Sequence, residues 1–393
     1  MSAANSTTRD RVMRCSNAAA PARADALLVA SDFCRRPGFG KHHPLSIPRV
    51  SAVLELCACL GWLDEKHLRP SRVATVAELS TFHDPDYVAA LRLSDAAGRV
   101  EPSIRQRHGF GNFENPLFPG VFERAATAVG GSILAADLAL EGRVVFHPAG
   151  GTHHGRRDRA SGFCYFNDPV FAIRRLLDGG VARVLYADLD AHHGDGVQDA
   201  FLDDPRVRVV SIHEDDRWPH SGAASDRGHG QATNLPVPEG CNDSEFACLI
   251  DEVVLPLAAR FAPGAVVITC GTDALAGDPL SRMALSNGAL WNAVERLIGF
   301  SGPAVVLGGG GYNPWTLARC WTGLWARLSG REIPVVLPAA AQLILRSLDC
   351  DLIDDEDVEP AWLDTLADAP RPGPVRSAVR ALAAEGRAAH GMA

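Results

Sequence analysis

From about residue 23 the chain repeats one theme: a short apolar run, a polar turn, then a longer segment with helical spacing. The apolar runs at 26–30, 144–147, 183–188, 207–213, 265–269 and 304–307 are rich in Val, Ile and Leu and do not alternate. Such runs suit strands buried on both faces. Segments 48–61, 84–95, 121–140, 166–178, 243–261, 284–300 and 314–329 carry helical spacing between them. Strands alternating with helices predict an α/β protein, a three-layer α/β/α arrangement with a mostly parallel central sheet. In such sheets ligands sit beyond the carboxyl ends of the strands, so polar residues directly after the apolar runs are the site candidates. Residues 1–22 lack periodicity and read as a flexible N-terminal arm, with 23–330 as the sheet-bearing domain. Residues 331–393 turn Pro- and Ala-rich, with an acidic patch at 354–357, and read as a C-terminal extension packing on or trailing from that domain.

Composition narrows the class. With 47% hydrophobic and 22% charged residues over 393, the chain fits a soluble globular protein and excludes global disorder or a small disulfide scaffold. A net charge of −9 argues against direct nucleic-acid binding, which needs clustered basic groups. The ten cysteines show no CxxC and no zinc-ribbon spacing, which suggests packed thiols, Cys164 and Cys270 among them, in a reducing compartment. The Ala-rich stretch near the start is broken by Pro21, Arg23 and Asp25 and makes a poor signal peptide. No run of apolar residues is long enough to span a membrane, so a cytoplasmic location is expected.

The strongest chemical signal is Ala187-Asp188-Leu189-Asp190-Ala191-His192-His193-Gly194-Asp195-Gly196, directly after a strand. Residues two apart in an extended segment point the same way, which puts Asp188, Asp190 and His192 on one face. A polar turn with a capping Asp would account for one or two of these residues, not for all of them. Burying so many ligand-type groups together is costly unless a cation offsets it. A further carboxylate, Asp273, follows the strand at 265–269. Asp190, His192 and Asp273 form a three-ligand set with an open position, the pattern of catalytic zinc; Fe(II), Co(II) or Mn(II) also suits such oxygen-rich ligation. Pro148-Ala149-Gly150-Gly151-Thr152-His153-His154-Gly155 follows another strand, and its histidine pair is a candidate acid/base couple with Asp188 and Asp195 free to orient it. Finally, Leu307-Gly308-Gly309-Gly310-Gly311-Tyr312 lacks the ending of a P-loop and the spacing of a dinucleotide fingerprint. It lets the backbone turn sharply and deliver the Tyr312 hydroxyl to a developing oxyanion.

These four segments, in this order, resemble the histone deacetylase superfamily, which includes acetoin-utilisation proteins and acetylpolyamine amidohydrolases of the arginase–deacetylase fold. The similarity runs from Lys41-His42-His43-Pro44 to Trp325 and takes in His83-Asp84-Pro85-Asp86-Tyr87, the segment Ser161 to Asp168, Val210-Ser211-Ile212-His213, Ala276-Gly277-Asp278-Pro279 and Thr316 to Trp321. The resemblance implies zinc on Asp190, His192 and Asp273, and a His154 that deprotonates the attacking water and then protonates the leaving amine. It implies His153 as electrostatic partner, Asp195 and Asp188 behind the two histidines, and Tyr312 as carbonyl-polarising tyrosine. Gly162 would offer its carbonyl to the substrate amide, and Phe163 would form one tunnel wall. A potassium ion behind the zinc would take Asp188, Asp190, His192, Ser211 and Ile212.

Some positions depart from the family pattern. The segment Trp218-Pro219-His220-Ser221-Gly222 replaces a Pro-Gly-(Thr/Ser)-Gly stretch, with Trp218 as second wall. Glu114 stands where a rim Asp grips the substrate backbone in many relatives, and Leu280 where some carry an acidic gatekeeper. The implied activity is metal-dependent removal of acyl groups, acetyl foremost, from lysine-type amines rather than free acetylpolyamines. A small acylated-amine deacetylase and a non-catalytic acyl-lysine-binding module are the alternatives, and the oligomeric state stays open. An arginase-like two-manganese hydrolase would need a second carboxylate beside Asp273, and the next is only at Asp278.

Overall fold

The computed structural model describes residues 25–36 and 38–392, so the arm expected at 1–22 lies outside the described residues. Eight strands form one sheet: β1 (Leu27–Ala30), β2 (Leu68–Pro70), β3 (Val144–His147), β4 (Val184–Asp188), β5 (Val207–Glu214), β6 (Ala232–Val237), β7 (Ala265–Thr269) and β8 (Ala304–Leu307). Their order across the sheet is β2-β1-β3-β8-β7-β4-β5-β6, and every neighbouring pair is parallel. The expected architecture is the observed one.

Alternate residues of the inner strands enter different cores. Leu28, Phe146, Leu185, Ile268 and Val306 pack with the helices Arg49–Cys59, Asn287–Ile298 and Pro314–Leu328 on one side. Val29, Val145, Tyr186, Val267 and Val305 pack with Val121–Leu140 and Asp168–Asp178 on the other. Each fully buried Val, Leu or Ile contributes on the order of 1.5–3 kcal/mol. A strand shift by one residue would exchange the two sets, so register is strongly specified.

That register aligns the site. His147 pairs with Leu307, Leu307 with Thr269, Thr269 with Asp188, and Asp188 with Ser211. The carboxyl ends of β3, β8, β7 and β4 therefore lie side by side, and the four chemical segments leave the sheet together. The helix Pro314–Leu328 starts at once after the glycine run, with Asn313 accepting from the N–H groups of Trp315 and Thr316. It is buried almost throughout, and its indoles are satisfied: Trp315, Trp321 and Trp325 donate to the carbonyls of Leu345, Cys270 and Trp62. Beyond residue 331, Leu345, Trp362, Leu366, Val379 and Leu382 join the first of the two cores. Among the described residues no helix is long and apolar enough to cross a membrane.

Candidate active site

Asp188 is the last residue of β4, and the chain turns immediately after it, so Asp190 and His192 stand on the turn and not on an extended strand. They still converge with Asp273, and the ligand atoms of Asp190, His192 and Asp273 all lie within 4.8 Å of one another, all three residues buried. The His192 Nδ1 is 2.9 Å from Asp273 Oδ2 and 3.3 Å from Asp190 Oδ1. Backbone N–H groups hold both carboxylates: Gly310 donates to Asp190 Oδ2 at 2.5 Å and Ala191 to Asp273 Oδ1 at 3.0 Å. A Cβ on Gly271 would stand 2.1 Å from Asp190 Oδ2, and one on Gly310 2.0 Å from Asp273 Oδ2. The glycine run thus clasps the carboxylates as well as turning the chain. At Gly309 and Gly311 the turn itself is demanding, with φ of 129° and 134°.

Electrostatics point the same way. Burial would raise Asp190, but the neighbouring His153 and His192 imidazoles draw it well below the usual carboxylate range. Burial, with the Asp190 charge beside it, pushes Asp273 up to about 6. Burial would lower His192, yet its bonds to Asp190 and Asp273 prevail and hold it at about 10. The His192 proton is the positive charge that the two buried carboxylates hold, and a divalent ion in that proton's place fits the same donor set.

The loop after β3 supplies two His–Asp dyads. His153 Nδ1 is 2.7 Å from Asp188 Oδ2, and His154 Nδ1 is 2.7 Å from Asp195 Oδ1. The rings of His153 and His154 lie 4.0 Å apart. Burial would depress His153, but the charges of Asp188 and Asp190 raise it to about 9. Burial and then the His153 charge drive His154 down to about 3. Burial and charge thus favour the cation at His153 and the neutral ring at His154.

The hydrophobic walls are close by. The Tyr312 ring meets Phe163 edge-on at 5.9 Å, and Trp218 meets His154 edge-on at 4.6 Å. Phe163 holds a φ of 65°, a left-handed conformation rare for an aromatic residue, directly after Gly162 at 54°. A Cβ on Gly162 would strike the Trp218 ring at 2.3 Å and His154 at 2.6 Å, so only glycine fits there. The Glu114 carboxylate accepts the Gly162 N–H at 2.5 Å. Leu280 is half-buried, its N–H on Asp278 Oδ1 at 2.9 Å. Ser211 pairs with Asp188 in the sheet, its hydroxyl 2.8 Å from His213 Nδ1, and Ile212 packs into the core. A cavity of about 270 Å³ opens here, lined by Arg49, His153, His154, Phe163, Gly309 and Tyr312.

Four contributors escaped the sequence reading. Arg49 is half-buried, donates to the Gly309 carbonyl and lies over the Trp321 ring at 5.2 Å. Arg156 contacts the second oxygen of Asp195. Tyr186 donates to Asp188 Oδ2 at 2.7 Å. Asp278 accepts the Tyr312 N–H at 2.7 Å. Only Asp278 had a signal, its place in the Ala276–Pro279 motif; the others stand in segments that look like ordinary helix, loop and strand.

Comparison with known proteins finds similar chains. The family described as Histone deacetylase domain matches residues 43–328. The acetoin utilization protein AcuC of Bacillus subtilis (strain 168) is 34% identical over 330 residues, which is 79% of this chain and 84% of that protein. Histone deacetylase 8 of Xenopus tropicalis is 34% identical over 298 residues, 74% of this chain and 80% of that one. The crystal structure of an HDAC homologue from Aquifex aeolicus superposes with a TM-score of 0.88 at 38% identity, covering 92% of this chain and 100% of that chain. An HDAC homologue complexed with SAHA matches equally well.

Proposed function

The chain belongs to the histone deacetylase family, and on that footing we propose that it is a zinc-dependent amidohydrolase removing acyl groups, acetyl foremost, from lysine-type amines. The observation that carries this reading is the convergence of Asp190, His192 and Asp273 beside two His–Asp dyads and the Tyr312 ring. Zinc, or Fe(II) or Co(II) in its place, would be held by Asp190, His192 and Asp273, and when bound would lower the pKa of water and polarise the substrate carbonyl. His154 has Nδ1 committed to Asp195, so its Nε2 takes the water proton and returns it to the leaving amine. His153 carries the positive charge that steadies this exchange. The Tyr312 hydroxyl donates to the oxyanion as the carbonyl becomes tetrahedral. Tyr312 is protonated for this task, because burial and the nearby Asp273 and Asp190 charges raise it well above its ordinary value.

Phe163 and Trp218 form the walls for an apolar stem, Gly162 offers its carbonyl to the substrate amide, and Glu114 fixes the Gly162 turn at the rim. With Leu280 in place of an acid, acyl-lysine-type amides are preferred over free acetylpolyamines. A potassium ion on Asp188, Asp190, His192, Ser211 and Ile212 belongs to the same proposal.

The test is turnover of an acetyl-lysine peptide and of N-acetylputrescine under one set of conditions, with bound metal quantified. The reading expects a higher kcat/KM for the peptide, and loss of both metal and activity in Asp190→Ala and in Asp273→Ala. Full turnover by metal-stripped protein would sink the mechanism; a clear advantage for N-acetylputrescine would overturn the substrate class alone.

A further inference from the structure

Tyr312 is held by the turn that follows Asp273 and by groups much later in the chain. Its N–H donates to Asp278 Oδ2 at 2.7 Å, while Oδ1 of the same carboxylate accepts from Leu280. The Asn313 side chain donates to the Gly277 carbonyl at 2.9 Å, fastening the Gly277–Asp278 turn beside the tyrosine. Over that turn lies the indole of Trp362, so near that a Cβ on Gly277 would stand 2.7 Å from it. On another side the Cys350 thiol meets the Tyr312 carbonyl, Sγ to O 3.6 Å. Trp362 is 4% and Cys350 7% exposed. Trp362 also stacks on Trp315 at 6.3 Å, and Trp315 donates to the Leu345 carbonyl. Leu345, Cys350 and Trp362 all lie beyond residue 328, where the family match ends.

We propose that the segment Leu345–Trp362 is a brace for Tyr312, with Trp362 and Cys350 as positioning residues. The inference rests on the role given to Tyr312 above. Four glycines precede the tyrosine, and they bring no side-chain packing to fix its place. Asp190, Arg49 and Thr272 hold the backbone of Gly309 and Gly310, and beyond them Tyr312 itself meets the Asp278 turn under Trp362, the Cys350 thiol and the helix whose Trp315 stacks on Trp362. An oxyanion donor works only within hydrogen-bond reach, and a displacement of about 1 Å costs on the order of 100-fold in rate.

The experiment is a double-mutant cycle on the metal-loaded full chain, with an acetyl-lysine peptide as substrate. Trp362→Leu is expected to lower kcat about 10- to 100-fold with KM and metal content little changed, and Trp362→Phe to restore most of the rate. In a Tyr312→Phe background, Trp362→Leu should bring no further loss, because the hydroxyl it positions is gone. Equal losses in both backgrounds would overturn the inference, as would unchanged kcat with only a lower melting temperature. If Trp362→Leu does not fold, Cys350→Ala enters the same cycle, where a kcat loss confined to the Tyr312 background supports the brace and any other pattern overturns it. Full kcat in Tyr312→Phe alone would instead overturn the role of the tyrosine.

Discussion

At the scale of single residues, the two histidines differ because of what surrounds them. His153 faces Asp188 and lies 3.8 Å from Asp190, whereas His154 has Asp195, whose other oxygen is shared with Arg156. The outcome is a charged ring tilted against a neutral one 4.0 Å away, and the proposed mechanism gives proton transfer to the neutral ring. His154→Ala should therefore reduce kcat about 100- to 10,000-fold, the usual worth of a placed acid/base group. Asp195→Asn should cause a smaller loss that disappears in the His154→Ala background, since the carboxylate acts only through that imidazole. Tyr312→Phe should cost about 100- to 1,000-fold in kcat, as removal of one oxyanion donor does. All three variants should retain full metal by elemental analysis. A Tyr312→Phe protein changed only in substrate affinity would contradict its assignment.

At the scale of elements, legibility followed apolar content. The six strands that read as unbroken Val/Ile/Leu runs occupy the places expected of them, within a residue or so at either end. The two missed strands are the sheet edges. β2 is three residues of Leu-Arg-Pro, half-buried to exposed. β6 carries Thr233, Asn234 and Pro236, and its polar side chains look loop-like until their partners are seen: Asn234 with Gln198, Thr233 with His390. The helix expected over 243–261 is continuous in direction but contains a π-type turn at Ile250–Val254. In the site, residues standing directly after a strand were legible, because strand ends converge in a parallel sheet. Arg49 was not, because a lone arginine in the first turn of an amphipathic helix looks like a surface charge until the glycine run is placed over it. The glycines themselves read as a hinge, whereas their second use needed coordinates: Gly310 presses on Asp273 and donates to Asp190. Gly310→Ala keeps that N–H but sets a Cβ against Asp273 Oδ2, and should displace the carboxylate and weaken metal binding by about 10- to 100-fold, the scale of a disturbed outer shell. Titration with a competing chelator measures this, and unchanged affinity would show that the absence of a side chain at Gly310 does not matter to the site.

At the scale of the whole molecule, the catalytic loop is tied to the rest of the fold by groups that must stay neutral. His83 is the clearest: one ring nitrogen is 2.9 Å from the Arg156 carbonyl, and the other accepts the Asn167 N–H at 3.1 Å. It joins both ends of the stretch that carries Gly162 and Phe163. Burial depresses it to about 4 from its ordinary 6.5. A protonated His83 would turn its accepting nitrogen into a donor facing another donor, so acid opposes the folded state here. The sign follows from linkage: between pH 6.5 and 4 the unfolded chain binds the proton that the folded one refuses. The stability His83 contributes is complete above pH 6.5, declines as pH falls, and is lost once pH drops below about 4, a total of roughly 3 kcal/mol. His83→Gln keeps a donor and an acceptor but no titrating group. Denaturant midpoints measured from pH 7.5 to 4.5 should fall less steeply for that variant, by up to about 1.4 kcal/mol per pH unit. Parallel slopes would remove His83 as the group that makes this loop acid-sensitive, and would leave His213, also depressed by burial, as the next to replace.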